Sequence, residues 1–412
     1  MNLDINNRLK KIGAFLSLTL FAVLSGLVMG WIGSFFNYSL NYADRIFKTR
    51  TFLLYCLPLF GLISTYVYKK LKITKENGCD DLVGRLLSND HIAFSRGPAV
   101  FLGTFLSRLG GAPVGACGPS LEIGASFADS IAKKAPLLSR ARKGRPDMFA
   151  QIGMSAALAP IFSAPIFAAI FPLEMCRGKI TRPKGIFFGL VASLVACRIS
   201  GTFFSPVETL GLTDFPLSIN MLPKFVLLGL ASSLTAIFYV SVKKVLSLSA
   251  SRLDGRPRIK SLVGGALLIA LLLAFGVNLY PGSGSFYLKK MLQDPNFYVP
   301  ADAFLIKLVL MGIVAAFSFK GGEISPLLFS GGALGAFLAP IIGLDPILSS
   351  ANCSIGLFAS ATKCPISAFF LAVELFGLSN PIAYMVIISV AVFFSGESSI
   401  YSLQDSSSIT PR

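Results

Sequence analysis

The chain has 412 residues and a formal net charge of +17; 54% of its residues are hydrophobic and only 14% are charged. Soluble domains carry about 25% charged residues, so this composition, with a mean hydropathy of +0.71, excludes an ordinary soluble domain. It predicts an all-α polytopic membrane protein in contact with the lipid bilayer.

Long apolar runs recur along the chain, and several approach the roughly 20 residues that a helix needs to cross a bilayer. The first run, residues 12–36, is too long for a cleavable signal peptide and is not followed by a small-residue cleavage pattern. The later runs cover residues 52–68, 185–197, 225–242, 262–277, 304–319 and 382–394. We therefore expect an integral, multi-pass membrane protein.

Basic residues gather in four groups, which the sequence places in short loops between apolar runs. These groups lie at residues 69–75, 133–145, 177–184 and 243–260. The stretch 201–219 instead holds Glu208 and Asp214 and has no lysine or arginine. The positive-inside rule then places the basic loops and the termini in the cytoplasm, at the cell membrane if the source is prokaryotic. Nucleic acid is not expected as a partner, because no basic stripe alternates with aromatic residues.

Seven cysteines are scattered along the chain, mostly in apolar runs and without a CxxC pair. They are Cys56, Cys79, Cys117, Cys176, Cys197, Cys353 and Cys364. An odd, scattered set argues against a disulfide framework and against a metal site. We expect most of them to be small buried hydrophobic residues.

The chain contains an internal repeat. Residues 164–175 (APIFAAIFPLEM) align with residues 364–375 (CPISAFFLAVEL), and in both a proline is followed nine positions later by a glutamate, Glu174 or Glu374. Upstream, GPSLEIGA aligns with SPLLFSGG. Repeats built from broken helices are typical of transporters whose site lies between the halves.

This repeat defines one transmembrane domain over residues 1–404. The first repeat covers about residues 50–200 and the second about residues 220–403. Residues 405–412 are predicted to be a short polar tail, without a C-terminal soluble domain.

Three glycine- or proline-rich turns interrupt the apolar pattern, at residues 77–81, 115–119 and 321–326. Unwound backbone in a membrane is tolerated only where it lines a cavity or is covered by protein. Helix N-termini carry partial positive charge, so their convergence predicts an anion site made of dipoles. Such a site binds an anion and releases it again, whereas a buried lysine would hold it too strongly. Near the end, the hydroxyl group of Tyr401 is a further donor, although Tyr401 alone is equally compatible with an interfacial anchor.

In order and spacing these motifs resemble the CLC family of chloride channels and anion/proton exchangers. GACGP at residues 115–119 is similar to the family's Gly-(Lys/Arg)-Glu-Gly-Pro, GEISP at 322–326 to Gly-x-Phe-x-Pro, and NGCDD at 77–81 faintly to Gly-Ser-Gly-Ile-Pro. The run KGGEISPLLF is most like the fluoride-handling branch. The resemblance implies an antiparallel inverted-repeat architecture with broken, re-entrant helices. It also implies a homodimer with one pore per subunit and no cofactor.

The resemblance also shows which residues this chain lacks. The family's gating glutamate falls on Cys117, the basic residue before it on Ala116, and the internal proton glutamate on Met175. The anion-coordinating serine falls on Gly78, with an error of one position either way. A thiol with a reference pKa of about 8.5 is mostly neutral at pH 7, so Cys117 does not imitate a carboxylate gate, unless nearby helix N-termini make it a thiolate.

The sequence therefore predicts a transporter of small inorganic anions, chloride or another halide such as fluoride, rather than an enzyme. The predicted pathway residues are Gly78, Cys79, Cys117, Gly118, Glu323, Ile324, Ser325 and Tyr401. Uncoupled, channel-like conduction is the first hypothesis because Cys117 replaces the gate. The alternative is a proton-coupled fluoride or chloride antiporter that uses Glu323, and a non-transporting membrane scaffold is a remote third.

The remaining intramembrane carboxylates and the dimer interface complete the predictions. Glu174, Glu323 and Glu374 either carry protons or make structural hydrogen bonds. The dimer interface is expected on the helices that begin near Pro165 and Pro365, where small and aliphatic residues allow close packing.

Overall fold

The structure is a computed structural model. It describes residues 2–73, 78–88, 90–135, 138, 146–176, 183–203, 218–317, 319–378 and 380–401. Several predicted features lie outside the described residues: Asn77, the basic residues of 139–145 and 177–182, the acidic pair Glu208 and Asp214, and the tail from Ser402 onward.

The described residues form sixteen α-helices and no β-strand. In the first half these are α1 (Asn2–Thr49), α2 (Leu57–Lys70), α3 (Gly78–Leu87), α4 (Arg96–Leu109), α5 (Cys117–Lys134), α6 (Pro146–Phe162), α7 (Pro165–Met175) and α8 (Pro183–Phe203). In the second half they are α9 (Leu222–Ser251), α10 (Pro257–Phe275), α11 (Ser285–Gln293), α12 (Ala303–Ala316), α13 (Ile324–Ile342), α14 (Pro346–Thr362), α15 (Pro365–Phe376) and α16 (Pro381–Phe394).

Among the described residues, six helical segments are long and apolar enough to cross a membrane, and five further apolar helices are shorter. The long segments belong to α1, α2 with the 3-10 turn before it, α8, α9, α10 and α13. The short ones include α7, whose 11 residues span roughly 16 Å, about half of a bilayer core. The predicted all-α membrane protein with broken helices is confirmed.

The outer surface of the molecule is apolar along the long helices. On α1, for example, Leu16 and Leu20 are each 61% exposed and Trp31 is 51% exposed. A stripe of this kind requires an apolar environment, which lipid chains provide, because soluble proteins rarely expose such contiguous apolar patches.

The two halves repeat the same local geometry where α6 leads to α7 and α14 leads to α15. The residue after the first helix, Ser163 or Lys363, is left-handed, with φ of 54° or 58°. The next residue, Ala164 or Cys364, has φ of −119° or −120°. A proline then opens the second helix, because its missing N–H would have no intrahelical partner there.

Both halves also bring two helices into backbone contact through small residues. A Cβ atom on Gly124 of α5 would lie 2.2 Å from the carbonyl oxygen of Gly153 on α6. A Cβ atom on Gly335 of α13 would likewise lie 2.2 Å from the carbonyl oxygen of Ser349 on α14. This close approach places the starts of α5 and α13 deep inside the molecule, where Cys117 and Ile324 are buried.

The prediction that the basic groups lie in loops is wrong in part. Lys69, Lys70, Lys133 and Lys134 end α2 and α5, and Arg258 and Lys260 lie in the first turn of α10. Lys243 and Lys244 do not lie in a loop; they lie inside α9, which continues to Ser251. The apolar helix accommodates Lys243 because its ammonium group forms an ion pair with Glu323. The loop that follows begins only at Arg252.

Candidate functional site

The N-termini of α5 and α13 meet inside the protein. The backbone N–H of Gly115 donates to the carbonyl of Gly322 at 2.7 Å, and the N–H of Gly322 donates to the carbonyl of Gly115 at 2.8 Å. Each glycine stands two residues before its helix. The reciprocal pair therefore fixes two helix ends, one from each half, next to each other.

Glycine is required at this contact because there is no room for a side chain. A Cβ atom on Gly322 would lie 2.7 Å from the amide nitrogen of Gly118 and 3.1 Å from that of Cys117. The N-cap residues Ala116 and Glu323 make no side-chain cap hydrogen bond. Since the first amides of a helix have no intrahelical acceptor, these N–H groups can interact with an anion.

Cys117 lies at this junction and is fully buried. Its Sγ atom is 3.6 Å from the Oγ atom of Ser325, in the first turn of α13. Its carbonyl accepts a hydrogen bond from the Oγ of Ser120 at 2.7 Å. The structure thus brings together Cys117 and Ser325, two of the predicted pathway residues.

A third helix end, that of α3, reaches the same place. Gly78 begins this helix with a left-handed φ of 54°. The Sγ atom of Cys79 lies 3.1 Å from the position that a Cβ atom of Gly118 would occupy. The faintest of the three sequence motifs is therefore adjacent to the start of α5.

An ionic network that the sequence analysis missed anchors this third helix. Arg96 of α4 is 3% exposed; its Nε donates to Glu122 of α5 at 2.6 Å, and its Nη1 donates to Asp81 of α3. Its Nη2 also donates to the carbonyl of Gly78 at 3.3 Å. Asp81 is a buried ion-pair partner, and Arg85 also binds it at 2.9 Å. Buried charges need such partners, and the network holds the starts of α3 and α5 in register.

Glu323, the N-cap of α13, has both carboxylate oxygens engaged by α9. Oε1 accepts a hydrogen bond from Nζ of Lys243 at 2.7 Å, and Oε2 accepts one from Oη of Tyr239 at 2.7 Å. Nζ of Lys243 also donates to the carbonyl of Ile400 at 2.8 Å. A lysine was not expected at this site; the signal for it is the four-residue spacing of Tyr239 and Lys243, which places both on one face of α9.

Tyr401 is held beside this ion pair by the preceding residues. Ile400 donates its N–H to the carbonyl of Ala361 on α14 at 2.9 Å, and the N–H of Tyr401 donates to Oγ of Ser399 at 3.2 Å. Tyr401 is 5% exposed. Because Lys243 joins the carbonyl of Ile400 to Glu323, the end of the described chain lies next to the start of α13.

Glu174 and Glu374 cap each other's repeat. The two oxygens of Glu374 accept the N–H groups of Ile166 and Phe167 at 2.8 Å each, at the start of α7. The two oxygens of Glu174 accept the N–H groups of Ile366 and Ser367 at 2.9 and 2.7 Å, at the start of α15. In this geometry both carboxylates make structural hydrogen bonds, and Met175 beside Glu174 is fully buried.

His91 lies away from the junction. Its Nδ1 atom is 2.5 Å from Oδ2 of Asp129, which is twelve residues beyond Cys117 on α5 and so roughly 18 Å along that helix. The Cys117 thiol therefore has no histidine base beside it.

Comparisons with known proteins agree with this geometry. A family model described as "Voltage gated chloride channel" matches residues 60–396. The "Chloride/fluoride channel protein" of Pseudomonas syringae pv. tomato is 27% identical over 393 residues, covering 93% of this chain and 85% of that protein. The "Putative ion-transport protein YfeO" of Escherichia coli O139:H28 is 26% identical, covering 71% of this chain and 69% of that protein.

Two solved structures share the fold over nearly the whole chain. The crystal structure of a CLC-type fluoride/proton antiporter has a TM-score of 0.85 and 26% identity, and the match covers 95% of this chain and 98% of that one. The structure of a slow cyanobacterial Cl-/H+ antiporter has a TM-score of 0.80 and 18% identity, with 95% and 97% covered. The expected inverted-repeat architecture with broken helices is confirmed.

Proposed function

This chain belongs to the voltage-gated chloride channel family, and we propose that it carries small inorganic anions, chloride or another halide such as fluoride, across a cell membrane. We further propose that this flux is channel-like and not coupled to protons. The observation that carries the proposal is the buried thiol of Cys117 at the point where the N-termini of α5 and α13 meet.

The proposed anion site is made of uncapped helix ends and one hydroxyl group. The amides of Gly118, Ile324 and Ser325 belong to first helical turns, whose N–H groups and dipoles favour an anion. Gly78 and Cys79 contribute the third helix end. The hydroxyl of Tyr401 has no hydrogen-bond partner among the described residues, so it is available to donate to an anion.

Uncoupled flux follows from the groups present at this junction. A carboxylate at position 117 would compete with the anion for the helix ends and would leave on protonation, which would couple the two ions. A thiol is mostly neutral at pH 7 and is a weak hydrogen-bond acceptor. Met175, at the internal proton position, is apolar and fully buried.

Proton-coupled antiport through Glu323 is the second candidate function. Its carboxylate stands at the N-cap of α13 and its side chain is 23% exposed, so a proton can reach it. One structural relative is described as a fluoride/proton antiporter. This candidate requires Glu323 to release Lys243 and Tyr239 in each cycle.

Efflux from proteoliposomes, with the external pH recorded at the same time, tests both candidates. Purified protein is expected to release chloride or fluoride without net proton movement. Uphill proton movement driven by a halide gradient would contradict uncoupled flux and would support antiport through Glu323. An absence of flux for every halide would leave only the scaffold hypothesis.

We also propose a homodimer with cytoplasmic basic loops. The matched helices α7 and α15 expose Ile166 and Ile366, which are 37% and 57% exposed in the single chain. Packing two copies through these helices would cover both side chains. Cross-linking in mild detergent that gives only monomer across a range of concentrations would contradict the dimer. Labelling of a cysteine introduced beside Lys133 from the external side would contradict the orientation.

A further inference from the structure

Two polar side chains of helix α9, Tyr239 and Lys243, lie one turn apart on the same face. Both bind the carboxylate of Glu323 at 2.7 Å. The ammonium group of Lys243 has three N–H donors, of which one binds Glu323 and one binds the carbonyl of Ile400. Among the described residues no third acceptor binds this group, so one donor remains for a ligand.

The ammonium group stands where the parts of the proposed anion site meet. Glu323 immediately precedes Ile324 and Ser325 of α13, and Ile400 immediately precedes Tyr401. Lys243 binds both Glu323 and the carbonyl of Ile400, so its positive charge lies between the start of α13 and Tyr401. The proposed site therefore contains a fixed cation as well as helix dipoles.

This ion pair differs from the other intramembrane pair beside the site. In the pair of Arg96 and Glu122 the side chains are 4% and 6% exposed, as expected for a structural tie. In the pair of Lys243 and Glu323 they are 19% and 23% exposed. A partly open pair at the start of a helix is accessible to a small ion, whereas a closed pair is not.

We propose that Lys243 binds the transported anion and that Glu323 competes with the anion for the same ammonium group. The proposal rests on the proposed function, because it names a residue of that anion site. An unpaired ammonium group among helix dipoles would hold a halide too strongly for fast release. By occupying the ammonium group, the Glu323 carboxylate keeps anion binding weak enough for flux.

Three variants separate this role from a purely structural one. Glu323→Gln removes the competing charge and keeps the shape, so halide binding is expected to become about tenfold tighter and efflux slower. Lys243→Met is expected to weaken halide binding by about tenfold. The double variant is expected to bind as weakly as Lys243→Met. Calorimetry with sodium chloride and sodium fluoride measures binding, and proteoliposome efflux measures flux.

The matched control is Lys260→Met, which removes a lysine from the ion pair with Asp254, where Nζ and Oδ1 are 2.7 Å apart and the Asp254 side chain is 62% exposed. It is expected to leave halide affinity unchanged. Lys243→Arg keeps the charge and is expected to keep affinity within about threefold of the wild type.

The outcomes distinguish the two proposals. If the wild type transports halide but Glu323→Gln binds it no more tightly, Lys243 is not an anion ligand and the pair is structural. A double variant that recovers the affinity and thermal stability lost in both single variants would also show that the pair is structural. If Lys243→Met does not fold, Glu323→Gln alone decides, since it retains the lysine. A wild type that neither binds nor transports any halide overturns the proposed function and this inference together.

Discussion

Two pairs of matched helix starts differ in how their first amides are satisfied. At α7 and α15, each helix receives a carboxylate from the opposite half, Glu374 or Glu174, which accepts two backbone N–H groups. At α5 and α13, the N-caps are Ala116 and Glu323, and neither side chain caps its helix. The capped pair is symmetric and the uncapped pair is not.

We expect the capped pair of helix starts and the open pair to have different roles. Where the protein itself satisfies the amides, the helix start contributes to stability, about 0.5–2 kcal/mol for a cap. Where the amides are left open, the helix start can receive a ligand. At the open pair the two helix starts also differ in sequence. Glu323 in the second half stands where the first half has Ala116, and Cys117 in the first half stands where the second half has Ile324. We therefore expect substitutions at the first pair to act on folding and substitutions at the second pair to act on flux.

The largest effect is expected where the two halves are most alike, at the backbone contacts of α5 with α6 and of α13 with α14. Gly124→Val and Gly335→Val each place a side chain within 2.2 Å of a carbonyl oxygen and should abolish folding. Gly13→Val is the control, because nothing lies within 4 Å of a Cβ atom there. Size-exclusion profiles in detergent measure the folded fraction. A folded Gly124→Val beside an unfolded Gly335→Val would show that the two halves are not equivalent.

The next effect concerns the capping carboxylates. Glu174→Ala and Glu374→Ala are each expected to lower the stability by about 2 kcal/mol, because each leaves two helix amides without an acceptor. Glu174→Ala should cost slightly more, since Glu174 also accepts from Oγ of Ser367 at 2.5 Å. Thermal unfolding in detergent measures both, with Glu174→Gln as a control that keeps one acceptor. If the two alanine variants keep their stability but alter proton movement, the capping role is contradicted and Glu174 and Glu374 act as proton carriers.

Cys117→Glu introduces a carboxylate at the open pair of helix starts, α5 and α13. The ionised carboxylate should occupy the anion site, so halide efflux should fall by roughly tenfold at neutral pH, a change of about 1.4 kcal/mol. Efflux should recover as the pH falls, because the protonated side chain leaves the site. Cys117→Ser, a neutral group of similar size, should keep wild-type efflux. Efflux of Cys117→Glu that is fast at every pH would remove position 117 from the pathway.

The smallest effect is expected at Tyr401. Tyr401→Phe removes one hydroxyl donor and should weaken halide binding by about fivefold, equivalent to one hydrogen bond of about 1 kcal/mol. Tyr384→Phe is the matched control, because its hydroxyl is buried without a hydrogen-bond partner among the described residues. Calorimetric binding that is identical in the two variants would exclude Tyr401 from the anion site.

Much of this comparison can be predicted from the sequence, because its signals are local. The proline-to-glutamate spacing of the repeat and the glycines before Cys117 and Ile324 are visible within a few residues. The repeat also predicts that Glu174 and Glu374 occupy equivalent places. It does not predict that each caps the helix of the other half, because the amides that Glu374 accepts are up to 208 residues away.

The ionic contacts were missed for a related reason. Lys243 and Glu323 are 80 residues apart, and Arg96 and Glu122 are 26 residues apart on different helices. Hydrophobic periodicity identifies the buried face of one helix but not which residue of another helix faces it. A lysine in an apolar run indicates a buried partner, and the packing of the helices determines which partner it is.

The reciprocal bridge between Gly115 and Gly322 also has a consequence for how the protein is made. Cys117 and Ser325 beside it are 208 residues apart, so at 5–20 residues per second the ribosome completes the second helix end about 10 to 40 s after the first. During that interval the N–H and carbonyl groups of Gly115 lack their partners on Gly322, and each unsatisfied backbone group in the membrane costs several kcal/mol. The nascent first half is then the stage most exposed to proteases and most dependent on insertion factors. A chain that stops after α8 should be degraded rather than accumulate as a half-pore.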